Sequence, residues 1–309
     1  VRLELPRPLD RVLRKPTWPG TLERPAPDRG LGVDYDTAWA RSPAARLARA
    51  MLVDNVTRPL VRLAADPQVS GIEHLESLDG PVIFAANHSS HLDTAIVLSS
   101  LPVRFRHHTV VAAAADYFFD RHWKSALWAL TLGTIPIERT KVNRRSADLA
   151  AELLAEGWSL VIFPEGGRSP DGWGQEFRGG AAYLAKRCGV PVVPLHLRGV
   201  RPVFPKGSGR LRPGKVEVRF GRPLRPLAAG EDGRRDEDAR RFGARVEAAV
   251  AELADEAESD WWSARRRAAA GATPPFRGPD VAEWRRSWEL PASARKSGER
   301  RRLGPSKPW

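Results

Sequence analysis

With 309 residues, 42% of them hydrophobic, the chain is long enough for one large α/β domain with appendages, or for two small domains, and too apolar to be disordered throughout. Its formal net charge of +13 points to an anionic partner (a phospholipid surface, a nucleic acid or a phosphorylated substrate), and a single cysteine, Cys188, excludes an intrachain disulfide. No run approaches the roughly 20 apolar residues that span a bilayer, and the N-terminus has no continuous hydrophobic leader, so a soluble or peripheral cytoplasmic protein is expected.

Residues 1–36 carry six prolines, many charges and no sustained period, the pattern of an irregular arm. From Ala44 to Ala65 the period becomes helical. Leu47, Met51, Val56, Leu60 and Leu63 recur at three- to five-residue intervals, interleaved with Arg46, Arg49, Arg58 and Arg62. Pro59 inside this run is expected to kink or split the helix. Residues 37–69 therefore read as a basic amphipathic extension. It either lies on an anionic membrane with snorkelling arginines, or packs on the domain with its basic face in water.

Residues 70–258 alternate strand-like and helix-like runs. Strands are expected at 81–86, 109–113, 134–137, 159–163, 192–197 and 215–220; helices at 93–99, 121–131, 146–156, 179–188 and 236–256. Short, nearly continuous apolar strands separated by helices predict an α/β fold: a mixed, largely parallel central sheet flanked by helices. Cys188 closes the helix at 179–188, where a buried small side chain accounts for it better than a thiol nucleophile. Residues 259–309 form a basic tail, with 12 Lys/Arg against 5 Asp/Glu and five of the 11 tryptophans (Trp261, Trp262, Trp284, Trp288 and Trp309).

Four stretches carry chemistry. Asn87-His88-Ser89-Ser90-His91-Leu92-Asp93 follows the first apolar strand directly. A histidine at a strand end, with a carboxylate five residues on, can be held in one orientation and tautomer, as general-base chemistry on an alcohol requires. Gly133-Thr-Ile-Pro-Ile-Glu-Arg139 is a short strand ending in a guanidinium suited to a phosphate, with Lys141, Arg144 and Arg145 behind it. Leu160-Val-Ile-Phe-Pro-Glu-Gly-Gly-Arg-Ser169 runs a strand into Glu165 and two glycines that admit close backbone approach. Val190-Pro-Val-Val-Pro-Leu-His196 is an apolar strand interrupted by prolines, a plausible wall beside an acyl chain.

In this order the four blocks resemble the motifs of the glycerophospholipid acyltransferases, the 1-acylglycerol-3-phosphate acyltransferase (PlsC-type) family. His88 and Asp93 match its catalytic motif; Gly133 to Arg139 resembles the second block, with Pro136 where an aromatic or aliphatic residue is common. Phe163-Pro164-Glu165-Gly166, with Arg168-Ser169, matches the third, and Pro191 and Pro194 resemble the fourth. The resemblance covers roughly 70–225 and does not reach the arm or the tail. It implies direct acyl transfer without a covalent acyl-enzyme, with an acyl thioester (acyl-CoA or acyl-carrier protein) as donor substrate and no cofactor. His88 is then the base and Asp93 its orienter. Gly133, Arg139, Glu165, Gly166, Gly167 and Arg168 contact a phosphorylated lysolipid acceptor, 1-acylglycerol 3-phosphate foremost, and Pro191 and Pro194 line the acyl chain. The enzyme is expected at an anionic membrane surface, with no nucleic-acid partner. The sequence does not identify the oxyanion donors that such a reaction needs; backbone N–H groups near the helix start after His88 are a candidate.

Other readings compete. His91 lies only two residues from Asp93 and rivals His88 as base. A metal centre on His88, His91 and Asp93 lacks the usual ligand spacing, so no metal is expected. Ser89 and Ser90 adjoin His88, but the chain has no Gly-x-Ser-x-Gly elbow. Gly209-Arg-Leu-Arg-Pro-Gly-Lys215 imitates a phosphate loop, but Val216 follows and opens a strand, so a Pro213-Gly214 turn explains it better. A non-catalytic lipid- or nucleic-acid-binding protein that works through its basic tail is the alternative from a different class, and other glycerolipids or glycolipids are the alternative acceptors.

Overall fold

The computed structural model describes residues 31–138, 144–204, 210–228 and 237–278. Two helices come first, α1 (Pro43–Leu52) and α2 (Arg58–Ala65), joined by a π-helical turn at Val53–Thr57. Ser42 caps α1 by accepting from the Ala45 N–H. Pro59 does not split the run. The Arg58 N–H reaches back five residues to the Val53 carbonyl, and this wider turn makes room for the proline ring while the backbone stays right-handed helical on both sides.

Strands and helices then alternate: β1 (Pro67–Ser70), β2 (Ile83–Ala86), α3 (Asp93–Ser100), β3 (Thr109–Ala114), α4 (His122–Leu132), β4 (Thr134–Ile137), α5 (Arg144–Ala155), β5 (Ser159–Ile162), α6 (Gly180–Cys188), β6 (Val192–Arg198), β7 (Val216–Phe220), α7 (Ala239–Glu258) and α8 (Trp261–Ala269). The seven strands form one mixed sheet in the order β1-β7-β6-β2-β5-β3-β4, parallel at every step except β6–β7. Edge strand β1 is absent from the sequence reading. Its Pro-Gln-Val-Ser has no alternation to detect; it is a strand because β7 pairs with its backbone, and a first-position proline at a sheet edge costs no ladder bond.

β2 sits in mid-sheet with all four residues buried. Ile83 and Ala85 pack with Leu153 and Leu154 of α5, Leu184 of α6 and Phe242 and Val246 of α7. Phe84 and Ala86 pack on the other face with Val61 of α2 and Ile96 and Val97 of α3. Two covered faces explain why the strand reads as a continuous apolar run instead of an alternating one.

At the C-terminal end α8 packs on α7, where Arg267 binds the Asp255 carboxylate through two hydrogen bonds of 2.7 Å. Trp261 and Trp262 remain exposed, and Trp284, Trp288 and Trp309 lie outside the described residues. Among the described residues no helix is long and apolar enough to cross a membrane.

Candidate active site

The site begins where β2 ends. The Asn87 side chain donates to the Leu197 carbonyl (2.9 Å) and accepts from the Leu197 N–H (2.7 Å), so the amide prolongs the β2–β6 ladder by one residue. This fixes the exit of the chain. Asn87 had no assigned role in the sequence, although a carboxamide directly after a buried strand is a detectable signal.

His88 follows, with its Nδ1 2.8 Å from Asp93 Oδ2. Asp93 is fully buried in the first turn of α3, and the same Oδ2 accepts the N–H groups of Ser89 (2.6 Å) and Ser90 (2.8 Å). Nδ1 therefore carries the proton in the neutral imidazole, which leaves the lone pair on Nε2. The His88 ring stacks on Phe163 at 4.2 Å, and with Nδ1 on Asp93 the one in-plane direction left for hydrogen bonding is that of Nε2. The amides after His88, the candidate oxyanion donors, are spent instead on Asp93. Ser90 Oγ donates to the Phe204 carbonyl (2.9 Å), which removes it as a nucleophile.

The backbone of His88 is held from β5. Its N–H donates to Glu165 Oε1 (2.9 Å), and its carbonyl accepts from the Ser169 N–H (2.7 Å). Glu165 Oε2 accepts the Gln175 N–H (3.1 Å), and the Gln175 side chain donates to the Gly167 carbonyl (3.1 Å). Both carboxylate oxygens thus brace backbone. Gln175 was invisible to sequence reasoning, because nothing local marks a loop amide that will meet a carboxylate from another element; Ser169 was legible as part of the third block, but not its bond to the His88 carbonyl.

Burial pushes the Glu165 carboxyl up to about 8, with Asp93 adding to the push and the hydrogen bonds from His88 and Gln175 opposing it. A raised acid holds its proton more tightly folded than unfolded. Its stabilising effect is present in full below about 4.5 and is lost as pH climbs toward 8. The melting temperature of the wild type should therefore fall relative to Glu165→Gln between pH 5 and 8, by calorimetry on both proteins. Parallel curves would rule out a buried titrating Glu165.

His91 turns away from Asp93. Its ring stacks on Tyr117 at 5.7 Å, and burial, then the charges of Arg168 and His88, push it down to about 4. It stays neutral near pH 7. Arg168 is half-buried, and its charge is one of those that act on His91. Gly166 has φ +70°, and a side chain there would meet the Arg178 guanidinium; Gly167 has open space around its Cα. Arg139 and Lys141 lie outside the described residues, and Arg145 pairs with Asp34 at the start of α5.

Three expectations change place. Gly133, assigned to the acceptor, ends α4 in a left-handed conformation (φ 64°) before β4 begins, at the sheet edge away from His88. There it lies against Arg49, whose guanidinium caps the Ala129 carbonyl of α4. Pro191, assigned to the acyl chain, precedes β6 at the N-terminal end of the parallel strands, opposite the end that carries His88, and its carbonyl accepts the Ile83 N–H. Pro194 is buried within β6, where a side chain on Gly221 would strike its ring. Both prolines pack inside the sheet. Burial pushes the Cys188 thiol up, so it stays protonated and is a poor nucleophile.

Comparison with known proteins follows this geometry. Residues 66–198 match the family model described as Acyltransferase, a segment that includes His88, Asp93, Glu165 and Arg168. A chloroplastic 1-acyl-sn-glycerol-3-phosphate acyltransferase of Brassica napus is 34% identical over 167 residues, 50% of this chain and 44% of that protein. Its counterpart in Arabidopsis thaliana is 34% identical over 160 residues, 50% of this chain and 43% of that protein. The chain thus spans less than half the length of these two curated relatives. The crystal structure of the 1-acyl-sn-glycerophosphate acyltransferase PlsC from Thermotoga maritima superposes with a TM-score of 0.54 at 24% identity, covering 74% of this chain and 85% of that one. That likeness shows the shared fold.

Proposed function

We propose that this chain, whose residues 66–198 match the acyltransferase family model, moves a fatty acyl group from an acyl thioester to the free hydroxyl of a lysophospholipid, with 1-acylglycerol 3-phosphate as the preferred acceptor. The observation that carries this reading is the His88–Asp93 hydrogen bond of 2.8 Å at the end of β2. His88 Nε2 takes the hydroxyl proton as the oxygen attacks the thioester carbonyl. The tetrahedral adduct then expels the thiolate, which recovers that proton from the imidazolium. The thioester supplies the activated acyl group, so the reading needs no cofactor and no metal. Either acyl-CoA or acyl-carrier protein fits as donor.

Arg168 is the described guanidinium best placed for the acceptor's phosphate, with Arg139 as its expected partner. Arg168→Ala should raise KM for the phosphorylated acceptor by about ten- to hundredfold, the worth of a hydrogen bond to a charged group, and leave the donor KM nearly unchanged. Equal effects on both substrates would sink the phosphate assignment. A panel of 1-acylglycerol 3-phosphate, glycerol 3-phosphate, other lysophospholipids and glycolipids, assayed with both donors, tests the acceptor. Preference for an acceptor without phosphate would overturn it.

A membrane face on α1 and α2 belongs to the same reading. Leu47, Met51, Leu60 and Leu63 are 59%, 56%, 58% and 78% exposed, while Ala45, Val53, Val61 and Ala64 pack inward. The large apolar side chains thus point away from the core, which favours the lipid-facing alternative for 37–69. Beside them a cavity of about 650 Å³ is lined by Arg58, Arg62 and Arg104, guanidiniums within reach of lipid phosphates. The enzyme is then peripheral, on the cytoplasmic membrane face. Replacing Leu60 and Leu63 together with glutamate should weaken binding to vesicles containing anionic phospholipid by more than about tenfold, since each buried leucine contributes ~1.5–3 kcal/mol. Binding at wild-type strength would remove this face from that role.

A further inference from the structure

Residues 272–278 lie far beyond the family-matched segment in the chain, yet they return to the loop that braces His88. We propose that these residues act as a strap holding that loop, with Phe276 a positioning residue for His88. The inference rests on the reading of His88 as the base.

The contacts run in one line from tail to the His88 backbone. The Phe276 carbonyl accepts the Gly174 N–H (3.1 Å), and its ring meets Phe177 edge-on at 5.9 Å and 88°. A Cβ on Gly174 would lie 1.9 Å from the Phe276 ring, so only glycine lets the strap sit this close. One residue on, Arg277 binds Glu247 of α7 at 3.0 Å, and the same carboxylate accepts the Phe177 N–H (3.0 Å). Strap and loop are thereby fastened to one post. The Gly278 N–H closes a turn onto the Pro275 carbonyl (3.1 Å), with Gly278 against the Trp173 ring. Pro274-Pro275 restrict the approach and lower its entropy cost.

Between the two fastened positions, Gly174 and Phe177, lies Gln175. Its N–H holds Glu165 Oε2, and Glu165 Oε1 holds the N–H of His88. A strap that slackens therefore frees Gln175 first, Glu165 second and the His88 backbone last. Displacement of a catalytic group by about 1 Å can cost about a hundredfold in rate.

The test uses the full chain with Phe276→Ala, Phe276→Tyr, Gly174→Ala and His88→Ala. Phe276→Ala and Gly174→Ala should each lower kcat by about ten- to hundredfold, with both KM values within about twofold of wild type. The Gln175 and His88 amides should lose hydrogen-exchange protection, and Phe276→Tyr, which keeps the ring, should retain wild-type kcat. Wild-type kcat or wild-type amide protection in Phe276→Ala overturns the strap. So does a rate loss that merely follows a collapse of the melting temperature shared with Phe276→Tyr. If His88→Ala is as active as wild type, the base reading fails and the strap falls with it. An inactive His88→Ala beside a fully active Phe276→Ala overturns the strap alone.

Discussion

Replacing His88 with alanine is expected to lower acyl transfer by about two to four powers of ten, the usual contribution of a positioned general base. The size follows from how completely the ring is oriented. Nδ1 is fixed on Asp93 at 2.8 Å, Phe163 covers one ring face, and the backbone is held at both its N–H and its carbonyl. Alanine keeps the two backbone hydrogen bonds, so the variant should fold and bind both substrates. Residual activity should then come from substrate binding alone. Transfer of labelled acyl groups from acyl-CoA to 1-acylglycerol 3-phosphate, wild type beside variant, measures it. Equal rates would remove His88 as the base, and with it the central claim.

The second large effect belongs to Asp93→Asn. One oxygen of Asp93 accepts three hydrogen bonds, from His88 Nδ1 and from the amides of Ser89 and Ser90. An asparagine oxygen can still satisfy the two amides, so α3 keeps its first turn. With its oxygen in that place it also keeps the bond to Nδ1, but it carries no charge to stabilise the imidazolium. A loss of about 10²–10⁴ in kcat with little change in melting temperature is expected. Asp93→Ala differs in kind. It strands two buried N–H donors at about 1–3 kcal/mol each, so thermal unfolding should shift as well as rate. Near-wild-type turnover by Asp93→Asn would show that the carboxylate acts through shape and not through charge.

The two substitutions also mark how far the site is legible without coordinates. His88 and Asp93 are five residues apart, across one strand end and one helix start, so their pairing depends almost entirely on local geometry. The competition with His91 was open at that level. In the structure His91 stacks on Tyr117, 26 residues away, while His88 takes the bond to Asp93. Glu165 was legible as a site residue from its strand end, but its task was not. The His88 amide it holds is 77 residues away and arrives beside it only because β2 and β5 are neighbours. Gly133 and Pro194 sit in motif-like strings, and what the structure shows of them is a left-handed helix end and packing against Gly221.

Apolar periodicity showed where the extension is helical but not which way its leucines face, since an amphipathic helix buries its stripe against whatever is nearest. Here small residues and Arg49 take the inward side, and Leu60 and Leu63 face out. By itself the sequence determined the α/β alternation, the buried central strands and the histidine–carboxylate pair, because each is written within one element or one turn. Tertiary structure alone decided the sheet order, the outward leucines, the brace of Glu165 and the strap of Phe276. Those depend on which strands and loops become neighbours, and that is set by the free energy of the whole packed core.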